Sequence, residues 1–216
     1  MLEKIKIGIT QRVDKIGSYD ECRDALDQRL IDWVGKSGFV PVPIPNTLVG
    51  MGPPNNPQLM LKNWLNSVKI DAILLSGGND IGDSLNRDLT ENYLLSWAEK
   101  NTIPVLGICR GMQMIGTYSG VKLKKLGGHV KTRHHLKVDI GSRGKFPETV
   151  NSYHNQVLDC CPESFKVLAR SEDGNLEAIV HKNLPWEGWM WHPEREVIFS
   201  VEDKNRLVKL FKKGEK

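Results

Sequence analysis

The chain has 216 residues, 39% hydrophobic and 26% charged, with a formal net charge of +4. That balance excludes disorder and suits a globular chain with a sizeable core, so residues 1–216 are expected to form one domain. The basic residues are scattered rather than gathered into a stripe interleaved with aromatics, and no apolar run nears the roughly 20 residues of a membrane span, which argues against nucleic-acid and membrane partners.

In chain order, Ile5, Ile7 and Ile9 alternate in a first strand that ends near Thr10. A polar stretch over 11–20 leads to a predicted helix in which Cys22, Ala25, Leu26, Leu30, Trp33 and Val34 share a face, with Gly38 beyond its end. Residues 40–45 read as a second strand whose prolines mark an edge or an early exit. After a loop over 50–57 comes a helix through Leu59, Leu61, Trp64, Leu65 and Val68. Residues 71–75 are a continuous apolar strand that runs out into Ser76-Gly77-Gly78-Asn79-Asp80. Another helix, an apolar strand up to Ile108 and a helix after Cys109 follow. Helices alternating with fully apolar strands predict a parallel sheet covered on both faces. Beyond Gly120 the pattern becomes β-rich, at 121–126, 136–140, 165–169, 176–180 and 189–191, before a closing helix over 204–213 and a solvated lysine-rich tail. Trp33, Trp64 and Trp97 fall on helix faces and are read as core. For Trp189 and Trp191 core packing and pocket lining are equal alternatives.

Chemistry concentrates at Cys109. A strand that stops at a cysteine flanked by Gly107 and Gly111, with a helix directly after it, has the form of a nucleophile elbow. Such a turn presents the thiol at a helix N-terminus, which favours thiolate. Far downstream, Trp191-His192-Pro193-Glu194 supplies an imidazole as base and a carboxylate to orient it, completing a Cys–His–Glu set. The other cysteines, Cys22, Cys160 and Cys161, show no C-x-x-C pairing, and no apolar signal core precedes the first strand. Reduced thiols and a cytoplasmic location are therefore expected.

Gly107-Ile108-Cys109-Arg110-Gly111-Met112-Gln113 and the Trp-His-Pro-Glu run resemble the class I glutamine amidotransferase family, from Ile5 to about Phe199. Within it they look like the free-standing gamma-glutamyl hydrolases of the peptidase C26 type, as do Arg110 directly after the nucleophile and the run Asn151-Ser152-Tyr153-His154-Asn155-Gln156. The segment 128–134 is similar to members found in bacterial surface-polysaccharide pathways, capsule biosynthesis among them. The resemblance implies an α/β fold, flavodoxin-like and doubly wound, with a mostly parallel sheet and a smaller β-rich extension. It implies catalysis by Cys109, His192 and Glu194 through a gamma-glutamyl thioester, with the backbone N–H groups of Gly78 and Arg110 as the oxyanion hole. Gln113 would contact the glutamyl amino or carboxylate group, and Ser152 and Tyr153 would add backbone contacts.

His129, His134 and His135 invite a metal reading, but no acid or cysteine completes a recognised ligand spacing, so no metal and no cofactor is expected. His129, Arg133 and His134 are assigned instead to a leaving-group pocket suited to phosphate, which fits a nucleotide-linked gamma-glutamyl substrate. Asp80 and Asp83 facing a cationic leaving group is the alternative. Three functions follow. The preferred one is a free-standing hydrolase of a small-molecule gamma-glutamyl amide, either nucleotide-linked or of the gamma-glutamyl-aminobutyrate type, needing no protein partner. The others are a glutaminase subunit delivering ammonia to a synthetase and a non-catalytic binding module. Joint retention of Cys109, His192 and Glu194 argues against the last.

Overall fold

The structure, a computed structural model, describes residues 4–139 and 145–212. Strand β1 (Lys6–Thr10) is followed by β2 (Arg12–Ile16), β3 (Glu21–Ala25), helix α1 (Gln28–Lys36) and β4 (Val40–Ile44). Then come α2 (Leu59–Val68), β5 (Ala72–Leu75), α3 (Leu85–Asn101), β6 (Val105–Ile108) and α4 (Arg110–Tyr118). The second half contains β7 (Leu123–Lys125), β8 (Val130–His135), β9 (Lys137–Val138), β10 (Thr149–Tyr153) and β11 (Gln156–Leu158). It closes with β12 (Phe165–Arg170), β13 (Leu176–His181), β14 (Trp186–Trp189) and α5 (Val201–Lys212).

Eight strands form one sheet in the order β4-β1-β5-β6-β14-β13-β12-β9. The pairings from β4 through β14 are parallel, and those from β14 through β9 are antiparallel. This is the expected mostly parallel sheet with its β-rich extension. Alternation along the apolar strands feeds two cores: Ile73 and Leu75 pack on one face with Leu65, Leu94, Leu95 and Met112. Ala72 and Leu74 pack on the other with Trp33, Val34, Leu207 and Phe211. Helices α2, α3 and α4 thus cover one face and α1 and α5 the other, which is why strands apolar on both sides are needed. Trp189 and Trp191 are buried and stack in parallel with centroids 5.3 Å apart, Trp33 meeting Trp189 edge-on, so both belong to the core.

The structure corrects the elements around the first helix. Residues 12–25 form a hairpin, with Arg12 opposite Ala25 and Ile16 opposite Glu21, rather than the start of a helix. Gly17-Ser18-Tyr19-Asp20 is its turn, and the helix begins only after Asp27, whose carboxylate accepts from the Arg29 N–H at 3.0 Å. The misleading cue was the spacing of Cys22, Ala25 and Leu26, which matches a helical face although β3 is nearly all exposed. Strand 189–191 shifts to β14, and Met190 to His192 already belong to the loop beyond it. The two-stranded sheets β8–β10 and β7–β11 sit outside the main sheet. Ile140 at the end of one expected strand, and Lys213 with the tail beyond it, lie outside the described residues. Among the described residues no helix is long and apolar enough to cross a membrane.

At the elbow, backbone packs directly against backbone. A Cβ built on Gly111 would stand 2.1 Å from the Leu75 carbonyl oxygen, and one on Gly107 would stand 2.5 Å from the Gly111 carbonyl carbon. The obstacles are backbone, so no rotamer change relieves them. Gly111→Ala is therefore expected to destabilise the fold by about 1–3 kcal/mol and lower the urea midpoint, with loss of turnover as Cys109 shifts. Unchanged denaturation and turnover would show that α4 can slide without consequence.

Candidate active site

Strand β6 lies between β5 and β14, so the ends of these three neighbours converge. Cys109 occupies the single residue between β6 and α4 with φ 51° and ψ −105°, outside the regions an L-residue ordinarily adopts. Its N–H donates to the Trp189 carbonyl at 2.7 Å and its carbonyl accepts from the Gln113 N–H at 3.1 Å, so the strained turn is held from both sides. The loop after β14 brings His192 to it. His192 Nδ1 lies 2.7 Å from Glu194 Oε1, and the Cys109 sulfur acts electrostatically on the same imidazole. All three residues are buried. Cys109, His192 and Glu194 are thus brought together in the order that thiol chemistry needs.

Burial pushes the His192 imidazole down, but the Glu194 carboxylate and the Cys109 sulfur outweigh it and raise the group to about 9. At neutral pH the ring is then an imidazolium, able to hand a proton to a departing nitrogen. Backbone clamps fix the ring's position. Asn151 on β10 accepts from the His192 N–H at 3.0 Å and donates to its carbonyl at 2.8 Å, and Tyr153 meets the ring edge-on at 5.8 Å. On the far side the backbone of Gly77 passes so close that a Cβ there would reach 2.6 Å from His192 Cε1.

The Ser76–Gly78 loop is held by buried charge. Arg87 donates to the carbonyls of Ser76 at 2.7 Å and Gly77 at 3.0 Å, and to Glu91 at 3.0 Å. Glu91 also pairs with Arg110, which reaches Asp88 as well. The Arg110 side chain therefore points into the α3–α4 contact, while its N–H stays at the helix start beside Cys109. Gly78 has φ +115°, a conformation that favours glycine. Gln113 donates to the Gln156 carbonyl at 2.8 Å, and Gln156 in turn donates to Asp80 at 2.9 Å. Ser152 donates to the His129 carbonyl at 2.7 Å.

The three residues assigned to a leaving-group pocket are divided. His129 is buried with its Nε2 2.8 Å from Asp173 Oδ2, and its ring lies 4.2 Å from that of His134. Arg133 is on the exposed side, paired with Glu196 at 3.0 Å. Strand alternation sends neighbours 133 and 134 to opposite faces of β8. A cleft beside His192 is lined by Gly77, Gly78, Arg12 and Arg195, so the hairpin missed in the sequence supplies a wall of the site. Arg87, Glu91 and Asn151 were missed as supports. Arg87 and Glu91 carry a helical i,i+4 signature, but nothing local reveals that they are buried.

The family model described as glutamine amidotransferase class-I matches residues 47–213. The chain belongs to that family. It is 32% identical to the gamma-glutamyl-CDP-amidate hydrolase of Campylobacter jejuni, over 88% of this chain and 90% of that protein. It is also 32% identical to the glutamine-hydrolysing GMP synthase subunit of Methanothrix thermoacetophila, over 57% of this chain and 67% of that one. A crystal structure of a glutamine amidotransferase from Thermotoga maritima superposes with TM-score 0.63 at 17% identity, covering 98% of this chain and 84% of that one. The family makes this chain a hydrolase of amide C–N bonds.

The raised His192 group has a definite pH signature. Its contribution to stability is complete below its ordinary value of 6.5 and is lost as pH rises through about 9. The melting temperature of the protein should therefore fall across that window, and kcat/KM should show an alkaline limb near its upper end. In Glu194→Gln both effects should shrink and the limb should move toward neutrality. A limb that stays in place would show that Glu194 does not set the imidazole's charge.

Proposed function

We propose that this enzyme hydrolyses a gamma-glutamyl amide through a thioester on Cys109, and that its substrate is gamma-L-glutamyl-CDP-amidate, cleaved to L-glutamate and CDP-amidate. The observation that carries the substrate is the similarity to the Campylobacter jejuni hydrolase across nine-tenths of that protein's length. In the first step the Cys109 sulfur attacks the gamma-carbonyl, and the C–N bond breaks as the His192 imidazolium gives its proton to the nitrogen. The backbone N–H groups of Gly78 and Arg110 face the oxyanion; removal of one such donor typically costs about 2.7–4 kcal/mol of transition-state stabilisation. Water, deprotonated by the now neutral His192, then attacks the thioester, releasing glutamate and restoring the Cys109 thiolate beside the His192 imidazolium. Gln113 and the backbone at Ser152 and Tyr153 hold the glutamyl end.

The leaving group carries a diphosphate, and three guanidinium groups surround the His192 loop. Arg12 and Arg195 line the cleft, and Arg133 on β8 reaches Glu196, just beyond the loop that carries His192. Their partners Asp14 and Glu196 are partly exposed, so an incoming phosphate competes with weak ion pairs. Asp80 accepts from Gln156, and Asp83 from the Asp80 N–H, so both carboxylates already hold the loop together. The similarity to a GMP synthase subunit favours a second reading, a glutaminase subunit that works with a synthetase. The assembled triad speaks against the binding-module alternative, where it would have no use.

Cys109→Ala should abolish turnover while leaving folding and ligand binding largely intact. In wild type the nucleotide conjugate should be cleaved faster than glutamine or gamma-glutamyl-aminobutyrate, because binding energy from the diphosphate is available for positioning the carbonyl. Arg12→Ala and Arg133→Ala should lower kcat/KM for the nucleotide substrate by roughly tenfold or more, the loss of a charged hydrogen bond worth about 1.5–3 kcal/mol, with little effect on glutamine. Glutamine cleaved at least as fast as the conjugate would reject the nucleotide assignment and leave the thiol chemistry standing.

A further inference from the structure

We propose that His129, His134, His154 and Glu177 form a closed binding site for a zinc-type divalent cation that fastens the β8–β10 ribbon to the central sheet. One ligand atom from each residue lies within 4.8 Å of all the others. The residues come from separate pieces of chain: the approach to β8, β8 itself, the residue after β10, and β13. No acid near the histidines completes a ligand spacing in the sequence. Glu177, brought in by the fold from the main sheet, completes the set.

The side chains are poorly served by the protein alone. Glu177 is fully buried, and neither of its carboxylate oxygens has a hydrogen-bond partner in the protein. Nor do His129 Nδ1, His134 Nε2 or either nitrogen of His154. Burying a carboxylate and several imidazole nitrogens without compensation costs several kcal/mol. Protonating His154 does not resolve this. Its Nε2 is 3.6 Å from Glu177 Oε1, so it would serve one oxygen and leave His129 and His134 unmet. A single cation at the centre satisfies all four groups.

The donor chemistry is specific. Three imidazoles and one carboxylate suit zinc or a neighbouring transition ion and not magnesium or calcium, which take oxygen ligands. Zinc–ligand bonds of about 2.0–2.1 Å place tetrahedral donor atoms ~3.4 Å apart, so binding draws the group inward. His129 is already oriented for the task. Its Nε2 is held by Asp173 Oδ2 at 2.8 Å, which aims Nδ1 into the cluster, the carboxylate–histidine–metal arrangement. Four protein ligands leave no open position, so the ion supports structure rather than chemistry. What it supports is next to the active site: Ser152 and the His154 N–H both bond the His129 carbonyl, and Asn151 on the same strand clamps His192.

The test uses the full chain, purified without chelating resin or an affinity tag that binds metal. Elemental analysis should find about one zinc or similar ion per chain, lost in Glu177→Gln and His134→Ala. Stripping with a chelator should lower the melting temperature by roughly 8–16 °C, the value expected for loss of a ligand present at a thousandfold its Kd, and Zn²⁺ should restore it. Cobalt(II) loaded in place of zinc should give the visible bands of a tetrahedral ion without sulfur-to-metal charge transfer, and Cys109→Ser should retain them. The cobalt spectrum of wild type decides the matter even if both variants fail to fold. Less than about a tenth of an equivalent of metal together with no cobalt spectrum would overturn the proposal. So would metal retained by folded His134→Ala, or a spectrum with sulfur ligation.

Discussion

The positive φ of Cys109 is the constraint around which the active site is arranged. A strand that turns into a helix within one residue exposes its side chain beyond the sheet, and a non-glycine residue in such a conformation costs on the order of 1–3 kcal/mol. The surrounding structure holds it there. The N–H is tied to β14 through Trp189, the carbonyl starts α4, and the helix can begin so abruptly only because Gly107 and Gly111 let backbone lie against backbone. Because β6 is central, its two neighbours must end at the same level. The loop after β5 delivers Gly77 and Gly78, and the loop after β14 delivers His192. Cys109, Gly78 and His192, the groups proposed for catalysis, are far apart in sequence and adjacent in space for that single topological reason.

Buried charge performs the fine positioning. Arg87, Glu91 and Arg110 are almost wholly inaccessible, two cations around one shared carboxylate with Asp88 at the margin. Burial pushes the Arg87 guanidinium down, and for Glu91 the two guanidiniums outweigh burial, which acts in the opposite direction. Such a cluster adds little net stability, but loss of one member strands the others at a cost of about 3–5 kcal/mol. Its gain here is geometric. One end grips α4 immediately after Cys109 and the other grips the carbonyls of Ser76 and Gly77, so the two walls of the proposed site are referred to each other.

The first half of the chain was legible because its signals are local. Apolar strands, helical periodicity and the glycines around Cys109 each state their role within a few residues, and the sheet followed from their alternation. The exception is the hairpin of half-buried β2 and exposed β3, which carries no inward apolar stripe and is placed by long-range bonds, Val13 to Asn79 and Asp24 to Asn46. Cys109, His192 and Glu194 were readable because their residue types define their chemistry. Asn151 and Glu177 were not, since the first acts through backbone contacts made across the fold and the second is an ordinary strand residue until three imidazoles surround it.

Strand β10 shows how one short element can serve two sites. Its side chains alternate between faces. Asn151 and Tyr153 point to the catalytic loop, the first clamping the His192 backbone and the second packing against its ring. Ser152, and His154 just past the strand end, point the other way, toward His129. Displacement of the histidine cluster therefore moves Asn151 with it, and the orientation of His192 depends on contacts made on the reverse side of a strand that takes no part in proton transfer. The same alternation separates the Cys109 side from the group of imidazoles, so a cation held by the histidines is kept on the opposite face from the proposed nucleophile.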